Sequence, residues 1–442
     1  MTKYRFDKWT SLYANRASRL KSSAIRDLLS VTERSDIISL AGGLPYTREF
    51  KMETMVSATS ACMLRQGNEA LQYGASEGHI GLKKHIVSIM AGDGIEVDEE
   101  DFIITDGSQQ ALDLLAKVFI DPGDVVLVEA PSYLGALNAF EGYEPEVVGI
   151  PLDDEGLRVD KLEDRLKAMA AGGIKPKFMY LVPNFHNPAG VTLSAERRRR
   201  ILELSREYDL LLVEDNPYGR LRFEGEDIPS LRALDDHVVY LSTFSKIFSP
   251  GLRLGWIVAP HPILEKIIFA KQSADLCSSS FTQRVVEEFL NANDLNNYLS
   301  QLVDRYRSRR DAMLGALKEY FPEETGWTEP QGGFFVWASL PKFIDTTEML
   351  AEAINQKVAY VPGRAFFADG RGANFMRLAF CYPTEAQIDE GIKRLAGVVK
   401  DQISLYHSVT GHLHLPKKAG SGKRETGAAP PETQKPNSKR TK

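Results

Sequence analysis

The stretch Leu241-Ser242-Thr243-Phe244-Ser245-Lys246, followed by Ser249-Pro250-Gly251-Leu252-Arg253-Leu254-Gly255-Trp256, decides how this chain reads. An apolar strand that ends in hydroxyls, a lysine and then an arginine can hold an aldehyde and a phosphate together. A lysine amine fixed at a strand end, partly desolvated and beside a second cation, gives up its proton more readily and becomes a nucleophile able to form a Schiff base. A single lysine after a strand is otherwise an ordinary solvated charge, so the reading depends on what else converges there.

Two further strand ends supply partners. Leu210-Leu211-Leu212-Val213-Glu214 is a continuous apolar run of the kind buried in a parallel sheet, and it delivers Asp215-Asn216-Pro217-Tyr218-Gly219. Met179-Tyr180-Leu181-Val182 likewise delivers Pro183-Asn184-Phe185-His186-Asn187-Pro188. Upstream, Phe102-Ile103-Ile104-Thr105-Asp106 reads as a strand, and Gly107-Ser108-Gln109-Gln110 as the opening of a helix whose free N–H groups and positive end suit an anion. Ligands of open α/β sheets sit beyond the carboxyl ends of the strands, so these clusters should share one crevice.

The division of labour among the clusters is the one pyridoxal phosphate requires. Asp215 can pair with a pyridine nitrogen and keep it protonated, which makes the ring an electron sink. Tyr218 and Asn187 can hydrogen-bond its phenolic oxygen. Gly107, Ser108, Gln109, Ser245 and Arg253 can hold its phosphate, Arg253 through a forked, charge-assisted contact.

These residues resemble the class I/II aminotransferases of the fold type I pyridoxal-phosphate superfamily, over roughly residues 15 to 405. The resemblance implies that Lys246 is the Schiff-base lysine and proton shuttle, that Asp215 holds the pyridine nitrogen, and that Tyr218 and Asn187 hold the ring oxygen. It implies that Tyr133, in Ala130-Pro131-Ser132-Tyr133, stacks on the ring, and that Tyr73, in Leu71-Gln72-Tyr73-Gly74, is lent to the phosphate of a neighbouring subunit. Arg377, in Phe375-Met376-Arg377-Leu378, would bind the substrate α-carboxylate. The opening Ser22-Ser23-Ala24-Ile25-Arg26-Asp27, with Ile38-Ser39-Leu40-Ala41-Gly42-Gly43-Leu44-Pro45, is most similar to the 2-aminoadipate and broad-specificity branch. There the residue matching Arg26 can meet a distal carboxylate, and those matching Gly42 and Gly43 let substrate approach the backbone; Arg26 could equally be a solvated helix residue.

The implied reaction is a ping-pong transamination between an L-amino acid and a 2-oxo acid. Glutamate and 2-oxoglutarate would form one pair, and aminoadipate, an aromatic or a branched amino acid the other. The same constellation also serves lyases, decarboxylases and cyclising enzymes. A transcription regulator with an aminotransferase-like domain is a more distant alternative, since the residues before Arg26 are too few for a winged helix-turn-helix.

Composition fits this frame. At 442 residues the chain should hold more than one domain. A net charge of −6 argues against a nucleic-acid-binding body. Cys62, Cys277 and Cys381 are widely spaced, which suits a reduced cytoplasmic setting better than a disulfide framework or structural zinc. No apolar stretch is long enough to cross a bilayer, and the N-terminus lacks a signal peptide's apolar core. We expect an α/β protein of fold type I, with a mostly parallel sheet in a large domain (61–290) and a smaller α/β domain from both chain ends (1–60 and 291–405). A long helix through Tyr306 and Arg310 should precede Gly332-Gly333-Phe334-Phe335-Val336-Trp337, which begins the smaller sheet. A homodimer with shared sites is implied by the match at Tyr73.

Other features have plainer readings. Residues 406–442 turn to Lys, Gly, Pro, Ser and Thr and should be disordered. His412 and His414 lack further ligands nearby, so no metal site is expected. Arg197-Arg198-Arg199-Arg200, among Glu196, Glu203 and Glu207, should form a salt-bridged surface face. His186 could line the pocket or pack within its loop, Tyr133 could be core, and Arg377 could pair with a local carboxylate.

Overall fold

The computed structural model describes residues 9–18, 34–47 and 51–411. An eight-stranded sheet is built from β2 (Phe102–Thr105), β3 (Val125–Ala130), β4 (Glu146–Asp153), β5 (Gly156–Leu157), β6 (Phe178–Leu181), β7 (Leu211–Asp215), β8 (Val239–Thr243) and β9 (Gly255–Val258). Their order is β2-β9-β8-β7-β6-β3-β4-β5. The central pairs β8/β7, β7/β6, β6/β3 and β3/β4 are parallel, while β9 runs antiparallel to both its neighbours. The reversal of β9 decides the site: its amino end, preceded by Arg253, lies at the edge where the other strands deliver their carboxyl ends.

Both faces are buried, which is why these strands read as unbroken apolar runs. Successive side chains alternate faces. Ile103, Val126, Val128, Phe178, Tyr180, Val213, Val239, Leu241 and Ile257 pack with helices Ser108–Phe119 and His261–Ala274. The intervening Leu127, Met179, Leu181 and Leu212 pack with helices Val159–Ala171 and Ala195–Glu207.

A second, antiparallel sheet has the order β10-β11-β14-β13, from β10 (Gly326–Trp327), β11 (Phe335–Ser339), β13 (Val361–Pro362) and β14 (Phe375–Ala379). Helices Leu295–Tyr320 and Glu385–Thr410 flank it. Strand β1 (Ile38–Ser39) pairs in parallel with β12 (Val358–Ala359), and Leu40 continues by hydrogen bonds to Ala359 and Ala379. The segment that follows, Gly42–Leu44, is thereby laid over the carboxyl edge of the large sheet.

Three details depart from the sequence reading. The strand expected from Gly332 begins at Phe335, because Gly332 and Gly333 turn around Phe185: a Cβ on Gly332 would lie 2.4 Å from the Phe185 ring, and Gly333 has φ +70°. The last helix runs to Thr410, past the boundary at 405, and is closed by Gly411 in the left-handed conformation. Arg198 is not on the surface. Arg197 pairs with Asp153 and Arg200 with Glu163 and Glu203 as a charged face should, yet Arg198 is fully buried. It donates to the carbonyls of Leu193, Pro183 and Pro229 and, at 2.6 Å, to Asn184 Oδ1.

Through Asn184, which donates to Asn216 Oδ1 at 2.9 Å, Arg198 braces the floor beneath the strand ends. Arg198→Met would strand several buried acceptors, each costly to leave unpaired. Urea unfolding of this variant should show a loss of about 3 kcal/mol, against less than about 1 kcal/mol for Arg200→Met.

Candidate active site

The strand ends form one cleft, lined by Gly42, Gly43, Ser108, Gln109, Tyr133, Asn187, Asp215, Tyr218, Ser245, Lys246, Arg253 and Arg377 together with the unforeseen Leu44, Val182, Pro217, Thr243, Pro250 and Phe335. Most residues singled out from the sequence therefore meet in one place. Gly107 is not among the lining residues but is the N-cap of helix Ser108–Phe119, whose first residue is. Tyr73 does not join this cleft and is 78% exposed. Arg26, His412 and His414 lie outside the described residues.

Lys246 belongs to a single helical turn, Phe244–Ile247. Its N-cap is Thr243, whose hydroxyl accepts from the Ser245 N–H at 3.0 Å. The amine donates to the Gly43 carbonyl at 3.3 Å, and burial pulls its pKa down to about 8. It therefore carries a substantial neutral fraction near physiological pH.

Asp215 ends β7 and is buried at 2% exposure. Its Oδ2 accepts from the Tyr180 hydroxyl at 2.7 Å, while Oδ1 has no hydrogen-bond partner. Burial pushes the carboxyl up to about 7 despite the Tyr180 bond and the charge of Lys246. A buried acceptor left open in this way costs stability unless something donates to it.

Arg377, on β14, is fully enclosed. Its Nη1 donates to Asn187 Oδ1 at 2.9 Å and its Nη2 to the Ala41 carbonyl at 2.7 Å, while Nε is unpartnered. The Phe335 ring lies 4.2 Å from its guanidinium carbon. Burial lowers its pKa to about 10, which still leaves it charged at neutrality. Asn187 also donates to the Tyr218 hydroxyl at 3.4 Å. Burial raises the Tyr218 phenol well above its ordinary range and the Tyr133 phenol to about 12, so both stay protonated.

Glycines permit the close approaches. A Cβ on Gly255 would meet the backbone of Gly107 and Ser108 at 2.7 and 2.8 Å, so β9 can press the start of helix Ser108–Phe119 against the cleft. A Cβ on Gly135 would lie 2.4 Å from Tyr133, whose ring folds back over its own helix start. Arg253, at φ +52°, takes a left-handed conformation that few non-glycine residues adopt. Its Nη2 donates to the Asp106 carbonyl at 3.1 Å, beside the helix N-terminus.

His186 resolves to its packing role: it is buried, its Nδ1 accepts from the Ala189 N–H at 3.2 Å, and its Nε2 lies 3.2 Å from Glu129. Beyond the lining residues already named as unforeseen, Tyr180 is a polar contact of the site that the sequence did not point to. Tyr180 lies opposite Val213 in the β6/β7 register, and Asp215, two residues on, shares its face; without that register a tyrosine in an apolar run reads as core.

The Asp215 carboxyl sets a pH test. An unfolded carboxylate loses its proton near pH 4, whereas the folded, cofactor-free protein keeps this one to about 7. Between those values the folded state binds the extra proton, so its stability falls as pH rises. Asp215→Asn should remove that fall: the difference in Tm between variant and parent, both cofactor-free, should grow in the variant's favour from pH 5 to pH 7.5 and then level. A difference independent of pH would contradict the burial argument.

Three lines of comparison bear on this geometry. Residues 35–395 match the family model described as aminotransferase class I and II. An aromatic-amino-acid aminotransferase of Thermococcus litoralis is 47% identical, the match covering 88% of this chain and 94% of that one. A 2-aminoadipate transaminase of Thermus thermophilus is 39% identical over 90% of this chain and 98% of its own length. Among solved structures, Pyrococcus horikoshii kynurenine aminotransferase, in complex with the pyridoxamine form of the cofactor, superimposes with a TM-score of 0.85 at 46% identity, covering 89% of this chain and 98% of that one. These comparisons do not favour the lyase or regulator readings.

Pyridoxal phosphate is the cofactor of such enzymes, and the residues present suit it. An unpartnered buried carboxylate oxygen waits for a cationic N–H, and an amine with a depressed pKa faces the same cleft as a helix N-terminus flanked by Arg253 and Ser245. With residues 35–395 matching the family model and relatives of 47% and 39% identity covering 88% and 90% of this chain, the chain belongs to the class I and II aminotransferases.

Proposed function

We propose that this pyridoxal-phosphate transaminase exchanges an amino group between glutamate and 2-oxoglutarate as one pair and an aromatic or 2-aminoadipate-type amino acid and its oxo acid as the other. We further propose a cytoplasmic homodimer, divided into a large body (61–290) and a smaller one from 1–60 and 291–410, the end of the last helix. The observation that carries the catalytic reading is the meeting, in one cleft, of the open Asp215 Oδ1, the Lys246 amine and the Arg377 guanidinium.

The cofactor would be held by Asp215 at its ring nitrogen, Tyr218 and Asn187 at its ring oxygen, Tyr133 on its face, and Gly107, Ser108, Gln109, Ser245 and Arg253 at its phosphate. Bound there, it supplies an electron-poor ring that disperses negative charge from the substrate's α carbon. Arg377 orients the amino acid by its α-carboxylate; both of its present partners are neutral oxygens, so its charge is free to be met by substrate. Lys246 Nζ removes the α proton, a task suited to an amine whose pKa lies near the working pH. Tyr133, Phe335 and Gly43 close the cleft around these groups. The apolar Leu44 and Phe335 on its wall, and the aromatic preference named for the Thermococcus relative, support the second pair.

The dimer is supported by the surface carrying Tyr73. Leu64 and Leu71, at 87% and 73% exposed, lie in and just after the second half of helix Met52–Ala70, exposed apolar side chains near Tyr73 in the chain that suit a second copy.

The test is the visible spectrum of the purified holoenzyme as amino acids are added singly, without oxo acid. The band of the lysine-bound cofactor should be bleached to the amine form by glutamate and by aromatic or aminoadipate donors. Spontaneous recovery of the band with release of ammonia or carbon dioxide would overturn the reading. Lys246→Ala should lower turnover by about 10⁴-fold or more while the fold persists. Arg26→Ala should raise KM for glutamate and aminoadipate by about tenfold and leave aromatic donors little changed; equal effects on both classes would remove Arg26 from the site.

A further inference from the structure

We infer that Tyr180 is a positioning residue that holds Asp215 with one carboxylate oxygen fixed and the other directed at the cofactor nitrogen. This rests on the assignment of Asp215 to that nitrogen, and goes beyond it by naming the group that aims the carboxylate.

Asp215 has two acceptor oxygens and, among the described residues, a single side-chain donor. Tyr180 donates to Oδ2 at 2.7 Å and leaves Oδ1 unpaired. The carboxylate is thus tied at one corner, and rotation about its Cβ–Cγ bond would break the only hydrogen bond its side chain makes among the described residues. The tyrosine is itself immobilised: its side chain is fully buried, and its ring sits edge-on to Phe140 at 5.7 Å. Strand pairing sets the reach, since Tyr180 lies opposite Val213 and Asp215 follows on the same face.

The bond also biases the charge. Charged and titratable groups act on Asp215 from the neighbouring elements: Tyr180 on β6, Lys246 from the turn after β8, Tyr133 after β3 and Tyr218 after β7, with Glu214 acting through the sheet from the opposite face of its own strand. Burial and Glu214 favour the neutral acid; Tyr180 and Lys246 favour the carboxylate, with the Tyr180 bond the larger of those two influences. Lys246 would alternate between the cofactor and the substrate's proton in the holoenzyme, which leaves Tyr180 as the constant support. Burial and Asp215 hold the Tyr180 phenol far above its ordinary range, so it remains a donor throughout the working pH.

Tyr180→Phe removes the donor and keeps the ring. The test reads the dissociation constant of pyridoxal phosphate for the full-length protein, freed of cofactor, from pH 6 to pH 9, and kcat and KM of the holoenzyme. In the parent, affinity should rise as Asp215 ionises; in Tyr180→Phe that rise should move up by about one pH unit, with about tenfold weaker binding at neutrality. In the holoenzyme kcat should fall with KM little altered. A double-mutant cycle separates positioning from packing: in an Asp215→Asn background, Tyr180→Phe should cost no further affinity. If the Tyr180→Phe cost persists there, or if Tyr180→Phe alone changes neither affinity nor its pH dependence, the inference falls. If Asp215→Asn itself leaves affinity unchanged, it is the assignment of Asp215 that fails. Should Tyr180→Phe not fold, 3-fluorotyrosine at position 180, a stronger donor of nearly the same shape, should move the affinity rise to lower pH, and no movement would equally sink the proposal.

Discussion

A carboxyl group shut away from water is the constraint around which this molecule is arranged. Left alone, Asp215 would take up a proton, because burial disfavours its charge more than its neighbours favour it. It becomes a dependable anion only when a cation meets its open oxygen. The order of the sheet follows from that need. Tyr180, Asp215 and Lys246 come from or directly after β6, β7 and β8, three adjacent parallel strands, so the acceptor, its support and the amine arrive at one edge without any loop having to reach. The helices on both faces keep that edge dry below the cleft.

The cations are treated in the opposite way. Arg377 and Lys246 are held by the carbonyls of Ala41 and Gly43 and by the Asn187 amide oxygen. Such acceptors orient a cation without neutralising it, so positive charge remains available to an incoming carboxylate. The carbonyls come from a segment that reaches the cleft only because β1 is stitched to β12 and Leu40 bridges to Ala379 at the end of β14. Gly43 must be glycine for the segment to pass the Phe335 ring, which a Cβ would meet at 2.7 Å.

The cofactor clusters were legible because each follows an unbroken apolar run: polar residues in that position need partners, and a parallel sheet gathers such ends together. Side chains inside the runs were not. Tyr180 becomes chemistry only through strand register, a pairing between segments that one sequence does not disclose. Arg198 was misread for a different reason. Four arginines in succession look like one charged face, yet an α-helix turns by about 100° per residue, and Arg198 lies three and four residues before the buried Ile201 and Leu202. The helical period held that signal, and the composition of the run concealed it. Tyr73 is a different case again, since its expected role needs a second chain.

The two sheets divide the work in a way that bears on how such an enzyme changes substrate. Everything suited to the cofactor, from the Gly107 helix start and Arg253 to Asp215 and Lys246, is anchored on the large sheet and fixed by backbone contacts as close as Gly255 against Gly107. Arg377, the Phe335 wall and the Gly42–Leu44 segment belong to the small sheet and the strand pair beside it. On the proposed assignment, a substitution at Leu44 or Phe335 would reshape the wall without touching the Tyr180–Asp215 bond, whereas one at Tyr180 or Gly255 would disturb the cofactor side of the cleft for every substrate alike. Preference among amino acids can therefore drift along the small-sheet wall while the chemistry at Lys246 stays constant.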